Sequence, residues 1–483
     1  MRLGQTSIIH FVSRFLASAS GFVATIFIGR ILGSDGLGTY YLILSVVAWL
    51  GITVKMGITG AVTKRISEGE DDAAYAIAGA SISIVLFFGI SALVVIFSNQ
   101  VNSYIGYPAA VVVVVFLFVN LAQSIANSIL NGQHLVYISG VFTPIRTGSR
   151  SLVQIAALLG GFGLTGLFIG YTIGYLLVAI LGLWIAVKHF EAITTPDRDH
   201  YFQLFSYAKF SWIGSFRTRA FNWVDVSILG FFVSSSVIGI YTAAWNIAVF
   251  LILFGGSLSQ TLFPEMSSLS ADDDLQEVAD LFETAIAFGG LILIPGLVGG
   301  TLLGEQLLQV YGEDFSQGNV ILSILIIATL IQGYQRQFTT TLNAMDKPDL
   351  AFKINFTFII ANIVLNISLI PYFGVIGAAV ATATAVAISL VFAYYILSSL
   401  IEFSIPFGEI LRQWVSAAVM GVVVWVGIWF EATYIDFTYN MLIVIVLVGV
   451  GATVYFTTLL IISQRVRKTI LDNLPARFTF GMI

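Results

Sequence analysis

The sequence contains no cysteine, which excludes disulfides, thiolate metal sites and cysteine nucleophiles. Charge is scarce as well. Asp, Glu, Lys and Arg make up 10% of the 483 residues, against about 25% in soluble globular domains. There are four histidines, and His10 and His134 fall at helix ends without the acidic neighbours of a metal site. Glycine-rich pieces such as GGFGLTG are not followed by a P-loop lysine, so they read as packing and turn glycines. A net charge of −5 gives no reason to expect nucleic acid as a partner, and no cofactor is implied.

What the chain has instead is apolar length. It is 58% hydrophobic, and apolar runs of 18 or more residues recur from end to end. The fold class expected is an all-α integral membrane protein. The first apolar run lacks a small-residue cleavage site and reads as a retained helix. Windows of about 20 residues predict fourteen spans: 7–30, 37–58, 75–98, 107–131, 137–160, 163–187, 206–233, 236–263, 279–303, 318–343, 351–370, 374–400, 410–430 and 438–463. Short connectors such as GSDGLG and PYFG are expected as tight loops. The aromatics (39 Phe, 19 Tyr, 8 Trp) read as lipid-facing and interfacial packing.

Basic residues set the orientation. Arg2, Lys64, Arg65, Lys188, Arg198, Lys347, Arg465, Arg467, Lys468 and Arg477 all fall on the side that holds both termini. That side is expected to be cytoplasmic, in the cell (plasma) membrane. Acidic polar loops, seven lysines against fourteen arginines and no cysteine would also suit a high-salt organism.

The chain repeats itself. LGSDGLGTYYLILSV (32–46) matches VSSSVIGIYTAAWNI (233–247) around Gly38/Gly239 and Tyr40/Tyr241. SILNGQHLVY (128–137) matches TTLNAMDKPDL (340–350) around Asn131/Asn343, and GGFGLTGLFIGYTIG (160–174) matches PYFGVIGAAVATATA (371–385). An offset of about 200 residues, six helices, keeps the same orientation, so the halves are parallel repeats of the kind transporters use for alternating access. The expected organisation is an N-lobe at 1–190, a cytoplasmic linker at 191–205 and a C-lobe at 206–403. Two extra helices follow at 404–465, then a cytoplasmic tail at 466–483.

Full charges intrude into the apolar spans: Arg14, Arg146, Arg150, Arg217, Arg219, Asp225 and Arg336. At the bilayer centre each costs between about 2.5 and more than 10 kcal/mol. At 1.5 Å per residue, Arg146 and Arg217 lie roughly 15 Å deep, near the midplane. Arg146 and Arg150 share a face, about 40° apart, and Arg219 points about 200° away from Arg217. Snorkelling suits Arg14, near a helix end, but not the deep arginines. Asp225 is the lone deep carboxylate and cannot neutralise them all. The excess positive charge predicts a hydrated cationic cavity between the halves and a cargo bearing phosphate or another anion. Asp225 itself reads two ways, as a proton or sodium site or as a salt-bridge anchor, with Arg219 as a structural neighbour.

Several pieces carry a resemblance: FSYAKFSWIGSFRTRAFNWVDVSILGFF, the IGIY turn with Gly239 and Tyr241, LFPEMSSL around Pro264, LNA at 342–344 and IPYFGVIGAA at 370–379. Together with GRILGSDGLGTYYLILSV they resemble the polysaccharide-transporter (Wzx-type, O-antigen flippase) branch of the multidrug/oligosaccharidyl-lipid/polysaccharide exporter superfamily. The resemblance implies two six-helix lobes around a central cavity, with the last two helices appended. It implies a flippase for polyprenyl- or dolichyl-(pyro)phosphate-linked sugars, not an enzyme, working as a monomer in contact with membrane lipid, with H+ or Na+ as conceivable coupling ions. Arg146, Arg150, Arg217 and Arg336, with Arg14, would be the residues that hold the phosphate. A multidrug/cation antiporter, a peptidoglycan-precursor flippase and a membrane glycosyltransferase or polymerase are the alternatives. The cation antiporter fits poorly with excess arginine. The enzyme fits poorly with an outer loop at 302–317 whose acids are Glu305, Glu313 and Asp314.

Overall fold

A computed structural model describes the backbone of residues 3–69, 71–434 and 441–473. Side chains are described for these except 3–15, 210–221, 253–261, 432, 434, 441 and 469–473. The chain divides into two compact units, Met1–Thr242 and Ala243–Ile483.

The first unit contains α1 (Leu3–Lys55), α2 (Ile58–Ser67), α3 (Asp72–Ile96), α4 (Ser98–Ile105), α5 (Ala110–Gly132), α6 (Val136–Leu159), α7 (Gly163–Lys188), α8 (Arg198–Leu229) and the first turns of α9 (Ser235–Ala271). The second holds the rest of α9, then α10 (Leu275–Gly289), α11 (Leu293–Leu302), α12 (Gly304–Gln309), a 3-10 turn (Glu313–Gly318), α13 (Asn319–Ala344), α14 (Pro348–Ser398), α15 (Phe407–Tyr434), α16 (Met441–Ile462) and α17 (Gln464–Asn473). Among the described residues, ten stretches are long and apolar enough to cross a membrane. The chain is thus an all-α multi-pass membrane protein. Its outward faces are apolar, as lipid requires: Val85, Phe88, Val111 and Trp425 are all exposed.

Two expected connectors take another form. GSDGLG and PYFG are kinks inside continuous helices, α1 at Gly33 (φ 68°) and α14 at Gly374 (φ 53°). A left-handed residue redirects the axis without a loop, and glycine adopts it without a Cβ clash. The repeat-related position is glycine in both units at the second kink, since Gly163 (φ 55°) is the counterpart of Gly374. The expected linker at 191–205 also contains the start of α8. Asp197 caps that helix, accepting from the backbone N–H of Asp199 at 3.0 Å and of His200 at 3.1 Å. Its hydrogen bonds with His200, backbone first and then the ring, hold the carboxyl below the ordinary aspartate range. α8 then packs on α1, α2 and α3, which places residues 206–242 in the first unit.

In that unit α2, α3, α5 and α7 meet around Ile58, Val62, Ile66, Ile82, Leu130 and Val178. Two crossings bring backbones to contact distance. α1 and α9 cross at the repeat-related glycines: a Cβ on Gly38 would lie 1.7 Å from the Ser235 carbonyl oxygen, and one on Gly239 would lie 1.9 Å from that of Ser34. The Ser34 and Ser236 hydroxyls bond at 2.6 Å beside them, and Ser235 donates to Asp35. The second crossing is α6 on α7, where Gly166, Gly170 and Gly174 form a small-xxx-small stripe against Ala157, Gln154 and Arg150. In the second unit α15 packs on α11, with Ala417, Met420 and Val424 clustered with Leu293 and Ile294.

At Gly174 a Cβ would lie 2.7 Å from the Arg150 Cβ and 2.8 Å from the Arg146 carbonyl oxygen. Gly174→Val should therefore destabilise the protein by about 1–3 kcal/mol. Gly148→Ala, with nothing within 4 Å of the added carbon, should be neutral or slightly stabilising. Thermal melts of the two purified variants in detergent check this, and equal melting temperatures would contradict it.

Candidate functional site

The site is built on the glycine stripe. Because α7 presents no side chains there, α6 lies against it closely enough that Arg146 sits over an α7 tyrosine. The Arg146 guanidinium is 4.9 Å from the centroid of the Tyr175 ring, a cation–π contact. Its Nη1 donates to Gln123 Oε1 of α5 at 3.3 Å. Tyr175 stacks on Tyr171 at 4.3 Å between centroids, and Tyr171 stacks on Phe116 at 3.9 Å. The Tyr171 hydroxyl accepts from Asn120 Nδ2 at 3.3 Å, and Asn120 Oδ1 accepts from Lys55 Nζ at 2.6 Å. One network of neutral partners thus connects Lys55, at the end of α1, with Arg146, in the middle of α6.

These groups line a cavity of about 480 Å³ within the first unit. Its walls are Lys55, Thr59, Gly60 and Thr63 from α1 and α2, Asn120, Gln123, Ser124, Asn127, Ser128 and Asn131 from α5, Arg146 from α6 and Tyr175 from α7. Among the described residues, the lining has two cations, many neutral hydrogen-bonding groups and no carboxylate. Such a pocket favours an anion, whose charge relieves the repulsion between Lys55 and Arg146 and takes up their donors.

The residues singled out in the sequence fall in different places. Arg146 lines the cavity. Arg150, one turn on, lies between α1 and α7 outside the lining: its Nη2 would be 3.9 Å from a Cβ on Gly21, and its Nε is buried without a hydrogen-bond partner. Neither arginine forms an ion pair among the described residues. Arg336 is exposed on α13 of the second unit. Asp225 accepts from the Tyr241 hydroxyl at 2.5 Å, so the repeated tyrosine of IGIY reaches back to α8. Its partner in the repeat, Tyr40, accepts from Gln154 Nε2 at 2.9 Å. The side chains of Arg14, Arg217 and Arg219 lie outside the described residues.

Sequence reading missed Lys55 and the α5 wall. The signal was present: Asn120, Gln123/Ser124, Asn127 and Asn131 recur every three or four residues on an otherwise apolar helix, one polar stripe at the helical period. Lys55 gives no signal by itself, because a lysine at the end of a span is ordinary.

Residues 3–270 match the family model described as "Polysaccharide biosynthesis protein", and 213–368 match the one described as MatE. The chain belongs to the polysaccharide biosynthesis protein family. Among relatives of this family in Haloferax volcanii, "Probable flippase AglR" is 30% identical, with 97% of this chain and 98% of that protein covered. "Probable low-salt glycan biosynthesis flippase Agl15" is 27% identical over 98% and 99%. Among solved structures, the lipid II flippase MurJ in an inward closed conformation aligns with a TM-score of 0.78 at 18% identity, covering 96% of this chain and 100% of that one. An inward-facing MATE family transporter gives 0.63 at 13%, covering 80% and 95%. These two show the fold. The superfamily resemblance read from the IGIY, LNA and IPYFGVIGAA pieces is borne out.

Water access to the cavity can be read directly, since the chain has no cysteine of its own. Ser124→Cys, on the cavity wall, should react with an aqueous maleimide in proteoliposomes. Phe118→Cys, on a lipid-facing position of the same helix that is 50% exposed, should not. Protection of position 124 would mean that the cavity is dry.

Proposed function

We propose that the protein is a flippase that moves a lipid-linked oligosaccharide across the membrane, and that the Lys55–Arg146 cavity receives the phosphate of its headgroup. The observation that carries this reading is the cavity wall: Lys55 donates to Asn120, Arg146 donates to Gln123, and no carboxylate is among the described lining residues. The two Haloferax proteins, named as flippases and similar over nearly their whole length, point the same way. The work is transport and involves no bond chemistry.

In this reading the carrier is a polyprenyl or dolichyl (pyro)phosphate whose tail stays in lipid. The sugar-bearing end enters from the cytoplasm of a cell-membrane protein with both termini cytoplasmic, and alternating access between the parallel repeats moves it outward. Arg150, Arg336, Arg14 and Arg217 are further proposed contacts of the headgroup along its route. Asp225, engaged by Tyr241, is proposed as an anchor within the first unit, and Arg219 as a structural residue. A cation antiporter is disfavoured by the same cavity, because Lys55 and Arg146 repel a cationic drug.

The test is reconstitution into liposomes with a fluorescent dolichyl-phosphate-linked sugar. A hydrogen bond to a charged group is worth about 1.5–3 kcal/mol. Lys55→Gln combined with Arg146→Gln should therefore slow translocation by more than tenfold at similar protein incorporation. An unchanged rate would remove the cavity from the mechanism.

A further inference from the structure

The cavity wall is graded along α5, and the gradient has a chemical meaning. At one end Asn120 and Gln123 give their carbonyl oxygens to Lys55 and Arg146. Further along, toward the end of α5 at Gly132, Ser124, Asn127 and Asn131 line the same cavity. From Asn120 to Asn131 the stripe spans about 16 Å at 1.5 Å per residue. Asn131 Oδ1 is taken by the Ser139 hydroxyl at 2.6 Å, while Asn127 Oδ1 is buried without a hydrogen-bond partner. A buried amide oxygen left open is unusual in a finished interior. Here it belongs to a residue that lines a polar cavity.

A carboxamide both donates and accepts, which matches a sugar hydroxyl or a vicinal pair, and its carbonyl oxygen, the unbonded atom here, can accept from a hydroxyl but not from a deprotonated phosphate oxygen. We propose that Asn127, flanked by Ser124 and Asn131, reads the hydroxyls of the first sugar while Lys55 and Arg146 hold the phosphate. Asn127 is thus a specificity-determining residue. This rests on the flippase reading above and adds to it a division of the one cavity into a phosphate end and a sugar end.

The second unit shows that the fold does not require an amide at this place. Asn131 and Asn343 are 212 residues apart, and at that offset Gln123 corresponds to Gln335 and Asn127 to Thr339. Thr339 is buried, and its hydroxyl donates to the Arg336 carbonyl at 3.0 Å. The same helix position is therefore satisfied internally in one unit, while in the other it carries an unbonded amide oxygen on a residue that lines a cavity.

The experiment measures equilibrium binding to the full chain in lipid nanodiscs. The probes are dolichyl phosphate and the same lipid carrying glucose, mannose or N-acetylglucosamine. The wild type should bind at least one glycosylated probe about tenfold or more tighter than dolichyl phosphate. Asn127→Leu, and independently Asn127→Thr, should bring that ratio toward one while changing affinity for bare dolichyl phosphate less than about twofold. Binding of the bare lipid also reports that each variant is folded. Arg146→Gln should weaken all four probes by a similar factor. The proposal is overturned if the wild type shows no ratio, if both Asn127 variants keep it, or if they weaken all probes equally. Failure of the wild type to bind any of the four lipids would instead defeat the flippase reading itself.

Discussion

The close crossing of α6 over α7 is the constraint on which the site depends. Gly166, Gly170 and Gly174 remove side chains from one face of α7, and α6 settles where a Cβ at position 174 would meet Arg150 and the Arg146 backbone. In lipid, helices gain nothing by hiding apolar surface from each other, so close backbone packing supplies much of the attraction. The same contact fixes the height and direction of two arginines in the membrane interior. Without it, both guanidinium groups would be free to follow their long side chains toward water.

Comparison of the two units shows how the duplicated scaffold treats charge. At the 212-residue offset, Arg150 corresponds to Asn362. At the 211-residue offset of Gly163 and Gly374, Tyr171 corresponds to Thr382. Asn362 Nδ2 donates to Thr382 Oγ1 at 3.0 Å, so the second unit closes this spot with a neutral hydrogen bond. The small stripe is kept there as Gly377, Ala381 and Ala385, all buried. The packing device is thus common to both halves. The arginine at this spot belongs to the first half alone. A cost of several kcal/mol for a buried cation is carried only where a cavity with anion-binding chemistry lies next to it.

Much of the fold was legible in the sequence because apolar length is a direct requirement of the bilayer. The spans expected at 137–160 and 163–187 became Val136–Leu159 and Gly163–Lys188. The kinks at Gly33 and Gly374 were not legible as such, since a glycine in a short polar stretch marks a loop and a bent helix equally well. Arg146 stood out because its depth made every bland explanation expensive. Lys55 and Asn127 did not. A lysine at a helix end and an asparagine in a polar stripe are each ordinary, and only the approach of α1, α5 and α6 brings them to one cavity. Asp225 was ambiguous between anchor and coupling site in one dimension; its bond to Tyr241 depends on how α8 turns back into α9.

The choice of partners for Arg146 explains how a site can be held in place and still release its cargo. A carboxylate at bonding distance would orient the guanidinium firmly, but it would also compete with every incoming phosphate for the same donors. Gln123 and the face of Tyr175 orient it with weaker, neutral contacts. Lys55 is oriented in the same way by the Asn120 carbonyl, which is itself fixed through Tyr171. Arg146 is positioned in advance and forms no ion pair among the described residues, so an anion finds it preorganised and displaces no competing charge there. The same weakness limits how tightly the anion is held. For a transporter that is an advantage, because a headgroup bound too well on one side of the membrane would never leave on the other.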